Sequence, residues 1–544
     1  MGGGVLSPYC TLKRNQQRRE GMEQSGKSTV KAVGSMMVIT LLGKLLGLVR
    51  EQLLAANYSV GAEAAAFMTA SRIPRTFFDA VFASAISASF IPIFNEYLEK
   101  KGKQQAFELS NIFITMVGIV TCIMTVLGII FAEPITWLFA DGMSEQTAQI
   151  CVNFLRILFP TVVFTGIAFS FVGILQSLEE FTIPAAMSIV SNAIIILYYL
   201  FFNHKFGIEG LTIAFLIGWA MQAVIQIPAL YQKGYRYRLN FHLKEEGMKK
   251  IMLLMLPVMV STWIQPINIV INTKFASHIH FKGYEDAAIT TIEYANTLYT
   301  IIVGVFVLSI ANVIFPKMAR LTTNNAQKDL GQTISITLRS MLFLLIPMML
   351  GLMVLSEPIV KLMYERGNFD NFATQTTARA LFFFSIGMLG FGVQNILSRV
   401  FYAKQDGKTP FYSGLVSIVV NIVFCFLLFE KMDVGGLALA SALSSIVSAL
   451  FLCIPLQKEY QNLISKEIVN DLLKMAFSAA IMAVAAVLCK NTLLKMPLQG
   501  IISSIIVVAL PAFVGIIVYM IMCYYLAVPE SRQVIEIVKK IKRL

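Results

Sequence analysis

Runs of about twenty apolar residues, separated by short polar punctuation, recur along the whole chain, and they constrain its fold more than any other feature. A helix rises about 1.5 Å per residue and the hydrocarbon core of a bilayer is about 30 Å thick, so each run is long enough to cross a membrane. The runs fall near 30–56, 64–95, 107–131, 149–176, 182–202, 208–231, 250–276, 290–316, 333–356, 375–402, 410–429, 434–456, 470–489 and 499–526. They predict an all-α polytopic membrane protein of about fourteen transmembrane helices. Composition agrees: 57% of the residues are hydrophobic and 14% charged, where a soluble domain carries about 25% charged residues.

Basic residues orient the helices, because cytoplasmic loops hold the excess of Lys and Arg. Lys100, Lys101 and Lys103, then Lys233, Arg236, Arg238, Lys249 and Lys250, fall on one side with Lys317, Arg320, Lys404, Lys408, Lys458 and Lys466. Arg532, Lys539, Lys540, Lys542 and Arg543 close the chain on that side, as a basic amphipathic tail. Loops of the opposite side are poor in base, as in "AEPITWLFADGMSEQTAQ". Both termini are therefore expected in the cytoplasm. The same loops supply much of the net charge of +13, which reads as a basic face toward anionic membrane lipids and not as a nucleic-acid interface. Residues 1–27 are polar and basic without an apolar core, unlike a cleavable signal peptide, and Met22 is an alternative start. The seven Cys are scattered without a CxxC pair, which implies no disulfide framework. His278 and His280 lack a third ligand nearby, so no metal site is expected.

An internal repeat organises the helices. "LQSLEEFTIPAAMSIVSNAIIILYYLFFNHKFGIEGLTIAFLI", from Leu175, lies on "FYAKQDGKTPFYSGLVSIVVNIVFCFLLFEKMDVGGLALASAL", from Phe401, without a gap. Pro184 meets Pro410 and Gly210 meets Gly436. A weaker pair sets "SRIPRTFFDAVFASAISASFIP" against "NTLYTIIVGVFVLSIANVIFP", ending at Pro92 and Pro316. The expectation is two pseudo-symmetric six-helix lobes related by an axis along the membrane normal, as in transporters that bind substrate between repeats. The expected layout is an extension 1–27, an N-lobe 28–232, a cytoplasmic linker 233–249 and a C-lobe 250–457. Two additional C-terminal helices over 458–527 and a basic tail over 528–544 complete it.

Charges lie where lipid should exclude them. Arg72, Arg75 and Asp79 share one helix face. Arg72 lies about eight residues, or roughly 12 Å of helical rise, inside its span. A charge near the bilayer centre costs at least about 2.5 to 3.5 kcal/mol, so it should face protein or a water-filled cavity. Helix 1 carries Lys44, Arg50 and Glu51, and Pro74 between the two arginines of helix 2 favours a kink. A cationic cavity formed by Lys44, Arg50, Arg72 and Arg75 is expected, while an Arg75–Asp79 ion pair suits Asp79 better than a substrate role. Helix 7 adds Gln265, Asn268 and Asn272 on one stripe, and Asn296 with Thr297 begins the matching stretch of helix 8. Such residues serve equally well as interhelical glue. A cationic cavity fits an anionic substrate, because the guanidinium fork pairs with phosphate bidentately. No Walker loop, HExxH or Ser/His/Asp set is present, so the chain reads as a transporter, without cofactor, driven by an ion gradient or the membrane potential.

The runs "GKLLGLVREQLLAANYSVGAEAAAFMTASRIPRTFFDAVFASAISASFIPIFNEYLEK", "YANTLY" and "LMYERGNFDNFATQTTARALFFFSIGMLGFGVQNILSRVFYAKQDGKTP" resemble the MurJ (MviN) family of the MOP exporter superfamily, over about residues 28–526. The resemblance implies a lipid II flippase of the bacterial plasma membrane, alternating between inward- and outward-open states, with cell-wall synthesis proteins as further partners. It implies a tail groove on helices 13 and 14. Lys44, Arg50 and Glu51 resemble the family's helix-1 motif, with Lys where Arg is usual, and Arg72 matches a basic residue of helix 2. A family acid before it corresponds to Ala65, and a family arginine after "YAN" to Thr297; Arg75 is a candidate substitute donor. "YERGNFD" reads as an external cap. The alternatives are a flippase for another polyprenyl-linked oligosaccharide and a MATE-type exporter of organic cations, against which the excess of base over acid in helices 1 and 2 argues.

Overall fold

The computed structural model describes residues 38–242, 244–323, 326–460, 463, 465–496 and 500–541. Among these residues helix dominates, and the only β pairing is an isolated bridge between Phe281 and Tyr284. Helix α1 covers 38–58. Helix α2 covers 62–100, its α-helical stretches interrupted by π-helical turns at Arg75–Asp79 and Ile86–Phe90. The first π turn follows Pro74, which lacks the N–H that the regular ladder needs. Then come α3 (Lys103–Ile130), a short helix Ala132–Ala140, and α4 in two pieces, Glu145–Leu158 and Thr161–Ser177. Helices α5 (Thr182–Phe201) and α6 (Asn203–Val224) complete the first repeat.

The second repeat begins with α7, itself in two pieces, Glu246–Thr262 and Ile264–Ser277. Helices α8 (Ala287–Thr323), α9 (Gln327–Val354) and α10 (Asn371–Ala403) follow. The run Lys408–Glu459 breaks at Asp433, whose φ is 50°, into α11 (408–432) and α12 (434–459). Helices α13 (Lys466–Leu494), α14 (Gly500–Tyr525) and α15 (Pro529–Ile541) end the chain. Among the described residues, eleven helical runs are long and apolar enough to cross a membrane. One of them is the broken α11–α12 run, and charged α1 and two-piece α7 stand beside them, which is consistent with the fourteen helices expected.

Backbone geometry repeats at one offset, 226 residues, the same as in the sequence alignment. Glu179 and Gln405 both have φ 61°. Each closes its helix with the same pair of bonds: Glu180 N to Leu175 O with Glu179 N to Gln176 O, and Asp406 N to Phe401 O with Gln405 N to Tyr402 O. These are left-handed helix ends of the Schellman type. The next residue then caps the following helix, Glu180 by accepting from Thr182 N and Asp406 by accepting from Lys408 N and Thr409 N. Further on, Gly207 at φ 55° and Asp433 at φ 50° break the helical run at equivalent places. Strained left-handed residues are scarce, so three coincidences at one offset reflect a repeated fold.

Contacts divide the chain into two compact units that cut across the sequence repeat. Among the described residues, the first holds those within Met1–Glu51, Pro74–Ile129 and Arg156–Met259, and the second those within Gln52–Ile73, Ile130–Leu155 and Val260–Leu544. In the second, the ends expected outside the membrane are gathered together. Asn368 of the "YERGNFD" loop donates from its backbone to Ala56 O at 2.8 Å and from its side chain to Asn57 O at 2.6 Å, satisfying the last carbonyls of α1. Asp370 caps α10 by accepting from Ala373 N at 2.9 Å. Asp141, after the short helix, accepts from Lys274 at 3.1 Å and lies 3.0 Å from His278 Nε2 on α7's end. The additional helices pack on the second repeat: Phe343 and Ile346 of α9 bury against Met475, Ala479 and Met482 of α13 and Tyr519 and Cys523 of α14.

Candidate functional site

In the first unit, α1 is placed by a glycine. A Cβ at Gly43 would meet Ser188 Oγ at 2.2 Å and Ser188 Cβ at 3.3 Å, so α1 lies close against α5 there, and Asn192 donates to Gly43 O at 3.2 Å. Two turns along the same face comes Arg50. It donates to Asn192 Oδ1 at 3.0 Å and to Glu51 at 2.6 Å. Arg50 and Arg75 both face the ring of Phe215, at 5.5 and 5.6 Å, and Arg75 lies 5.1 Å from Trp219. Asp79 sits 3.9 Å from Arg75 Nε and accepts from Thr165 at 2.8 Å and Trp219 at 3.4 Å. Arg50, Glu51 and Arg75 thus come together. Lys44 of the expected set is exposed, with no ion pair among the described residues.

The second unit contains a polar cavity of about 570 Å³ within the helices. Arg72 enters its wall from α2, Asn268 and Asn272 from α7, Asn296 and Thr297 from α8. Arg72 and Asn296 hold matching places in the weaker repeat pair. Arg72 forms an ion pair with Glu293 of α8, which is 12% exposed. Asn272 is committed to helix packing: it donates to Ser441 at 2.8 Å and accepts from Asn421 at 3.0 Å. The same pair of helices in the first repeat, α1 with α5, is tied by Arg50 and Asn192. Asn268 Oδ1 is buried with no hydrogen bond among the described residues, which leaves an acceptor free in the wall. Gln265 lies on α7, and its side chain falls outside the described residues.

Arg72 belongs to the second unit, and Arg50 and Arg75 belong to the first. Each arginine stands beside a carboxylate: Arg50 with Glu51, Arg75 with Asp79, Arg72 with Glu293. Physically this is the cheap solution, since an unpaired charge inside a membrane protein costs several kcal/mol, of order 3 to 5 when one partner of a buried pair is removed. Glu293 is the charged residue of the cavity wall that sequence reasoning passed over. Its signal was a lone acid in the apolar run "TTIEYANTLY", one helical turn before Asn296. Gln394 and Asn395, an adjacent pair of amides, and Asn421, a lone one, were also missed in the cavity wall.

The family model described as lipid II flippase MurJ matches residues 54–513. The chain belongs to the MurJ family. Similar relatives include the probable lipid II flippase MurJ of Vibrio cholerae, 28% identical over 456 residues, covering 82% of this chain and 86% of that one. The Haemophilus influenzae relative of the same description is 30% identical over 437 residues, covering 76% and 83%. A solved structure described as lipid II flippase MurJ in an inward closed conformation superposes with a TM-score of 0.75 at 24% identity, covering 90% of this chain and 98% of that one. An inward-facing MATE multidrug transporter of the MOP superfamily gives 0.64 at 13% identity, over 79% and 98%. Membership makes the chain a multi-pass membrane transporter and not a catalytic enzyme. At the two positions where the resemblance leads one to expect a family acid and a family arginine, Ala65 is fully buried and Thr297 lines the cavity. The two helices concerned, α2 and α8, carry Arg72 and Glu293 instead.

Proposed function

We propose that this protein moves lipid II, the polyprenyl-pyrophosphate-linked peptidoglycan precursor, from the inner to the outer leaflet of a bacterial plasma membrane by alternating access. The observation that supports it most directly is the polar cavity among membrane-spanning helices with Arg72 in its wall, in a chain of the flippase family. A guanidinium is the natural partner of a pyrophosphate oxygen, and the surrounding amides and hydroxyls match the hydrogen-bonding needs of a sugar and peptide headgroup. Arg50 and Arg75 of the first unit are the further cations the headgroup meets. The polyprenyl tail stays in lipid, against the apolar side chains that α13 and α14 expose, such as Phe477, Leu488 and Phe513. Both termini face the cytoplasm in this reading, and an ion gradient or the membrane potential drives the cycle without a bound cofactor. Cell-wall synthesis proteins at the outer face take the product.

The test is lipid II exposed at the outer face of cells depleted of their own flippase, cleaved by an enzyme that cannot cross the membrane. Restored cleavage that is lost in Arg50→Ala and Arg72→Ala, with both variants present at parental levels, supports flipping and the role of the arginines. No restoration by well-expressed protein refutes lipid II as the substrate and turns attention to other polyprenyl-linked glycans.

A further inference from the structure

The Arg72–Glu293 pair joins two elements that come from different repeats. Arg72 ends the α-helical part of α2, just before Pro74 and the π turn. Glu293 sits in the first turns of α8. On either side of Glu293, α8 is tied to the α1–α2 turn by neutral bonds: Thr290 Oγ1 donates to Val60 O at 3.3 Å, and Tyr294 OH donates to Ser59 O at 3.2 Å. The ion pair is the charged member of this seam, and it is the member that lines the cavity.

A carboxylate and a pyrophosphate are the same kind of ligand for arginine: both present paired anionic oxygens to the guanidinium fork. Arg72 is 25% exposed and Glu293 12%, so neither has water enough to stand alone. An anionic headgroup entering the cavity meets Arg72 already occupied. We infer that Glu293 is the resident counter-anion of Arg72, which a pyrophosphate headgroup displaces, so that binding opens the charged link between α2 and α8. This rests on the substrate reading above. A pyrophosphate brings more charge than a monophosphate to the exchange and competes better for Arg72. The resident carboxylate weakens every anion that needs Arg72 by the same factor, so at low concentration only the intrinsically stronger one fills the site.

The experiment uses the full-length protein in nanodiscs, with undecaprenyl pyrophosphate and undecaprenyl monophosphate as probes. Glu293→Gln keeps the shape and removes the competing charge. It is expected to bind both probes more tightly, by about tenfold for the pyrophosphate if Arg72 is free about a tenth of the time in the parent. The monophosphate gains by the same factor, since one competitor is removed for both probes. A second readout follows the link itself: Val60→Cys and Thr290→Cys, in a background without native cysteines, cross-link in the parent, and pyrophosphate lipid lowers the yield. The charge-swapped Arg72→Glu, Glu293→Arg protein is expected to cross-link as the parent does, yet to resist that decrease and to bind poorly. Thermal melting checks that every variant is folded.

A parent that prefers pyrophosphate while Glu293→Gln stays within twofold of it for both probes overturns the inference and leaves the substrate reading intact. Cross-linking indifferent to pyrophosphate lipid overturns it as well. A parent that binds neither probe overturns the substrate reading and the inference together.

Discussion

Replacing Arg339 by Met is a test of the energetics that does not depend on the transport reading. Arg339, on α9, reaches Asp471 of α13 at 3.4 Å and also pairs with Glu530 at the start of α15. The three side chains are 21%, 12% and 5% exposed, so two carboxylates lean on one guanidinium with little water near. Lys474, 3.5 Å from Asp471, softens the loss for that acid, but Glu530 has no such second cation among the described pairs. Removing one partner of a buried pair costs about 3 to 5 kcal/mol, chiefly the stranding of the remaining charge. Arg339→Met should therefore destabilise the folded protein by an amount near that range, and it should do so by loosening α13 and α15 from α9. Adding Glu530→Gln to Arg339→Met removes the stranded charge and recovers most of the loss, while Glu530→Gln alone costs less than Arg339→Met. Thermal unfolding of the purified protein in detergent, with protease susceptibility of the tail as a local probe, reads both. A melting temperature for Arg339→Met equal to the parent's, or a double variant no better than the single one, would refute the argument that a stranded acid sets the cost.

Other outcomes follow from single contacts. Gly367 has φ 60° and a Cβ there would meet Ala56 O at 2.3 Å, so Gly367→Ala should destabilise by about 1 to 3 kcal/mol, seen as a lower melting temperature and faster proteolysis at the α1 end. Gly43→Val drives a branched side chain into Ser188 and should lower both folded yield and lipid II exposure more than Lys44→Ala, whose side chain is exposed. Burial alone would raise the pKa of Asp406, but hydrogen bonds from Thr409 and Lys408 with the charge of Lys404 hold it below the ordinary carboxylate value. Its capping contribution is present above the unfolded pKa of about 3.9 and is lost as pH falls through the lower folded value; Asp406→Asn should lower stability at pH 6 and leave a smaller further loss on acidification to pH 3, as followed by melting.

How much of this was legible in the sequence depends on how local each feature is. Helix positions and the 226-residue repeat were readable because apolar length and turn chemistry are written in consecutive residues: "LEEFTIP" and "KQDGKTP" each encode a left-handed stop and a capping acid within seven positions. The grouping of charges was not, because it depends on which segment packs with which. Arg72 and Arg75 are near neighbours along α2, yet Arg72 pairs with Glu293 of α8 and Arg75 with Asp79 of α2 itself, and a π turn begins after Pro74 between them. A periodicity argument assumes a regular helix, and the helix is irregular at the place where the argument was applied. Asp79 was read as the partner of Arg75 and Glu51 was placed beside Arg50, but Glu293 was missed for a related reason. Intramembrane cations invite a search for anionic cargo, whereas electrostatics requires first that each be neutralised in the resting protein. Glu51, Asp79 and Glu293 do that in order of increasing sequence distance from their arginines, one, four and 221 residues, and only the last lay beyond what spacing can find. It is also the one whose release joins two repeats of the fold to the arrival of an anion.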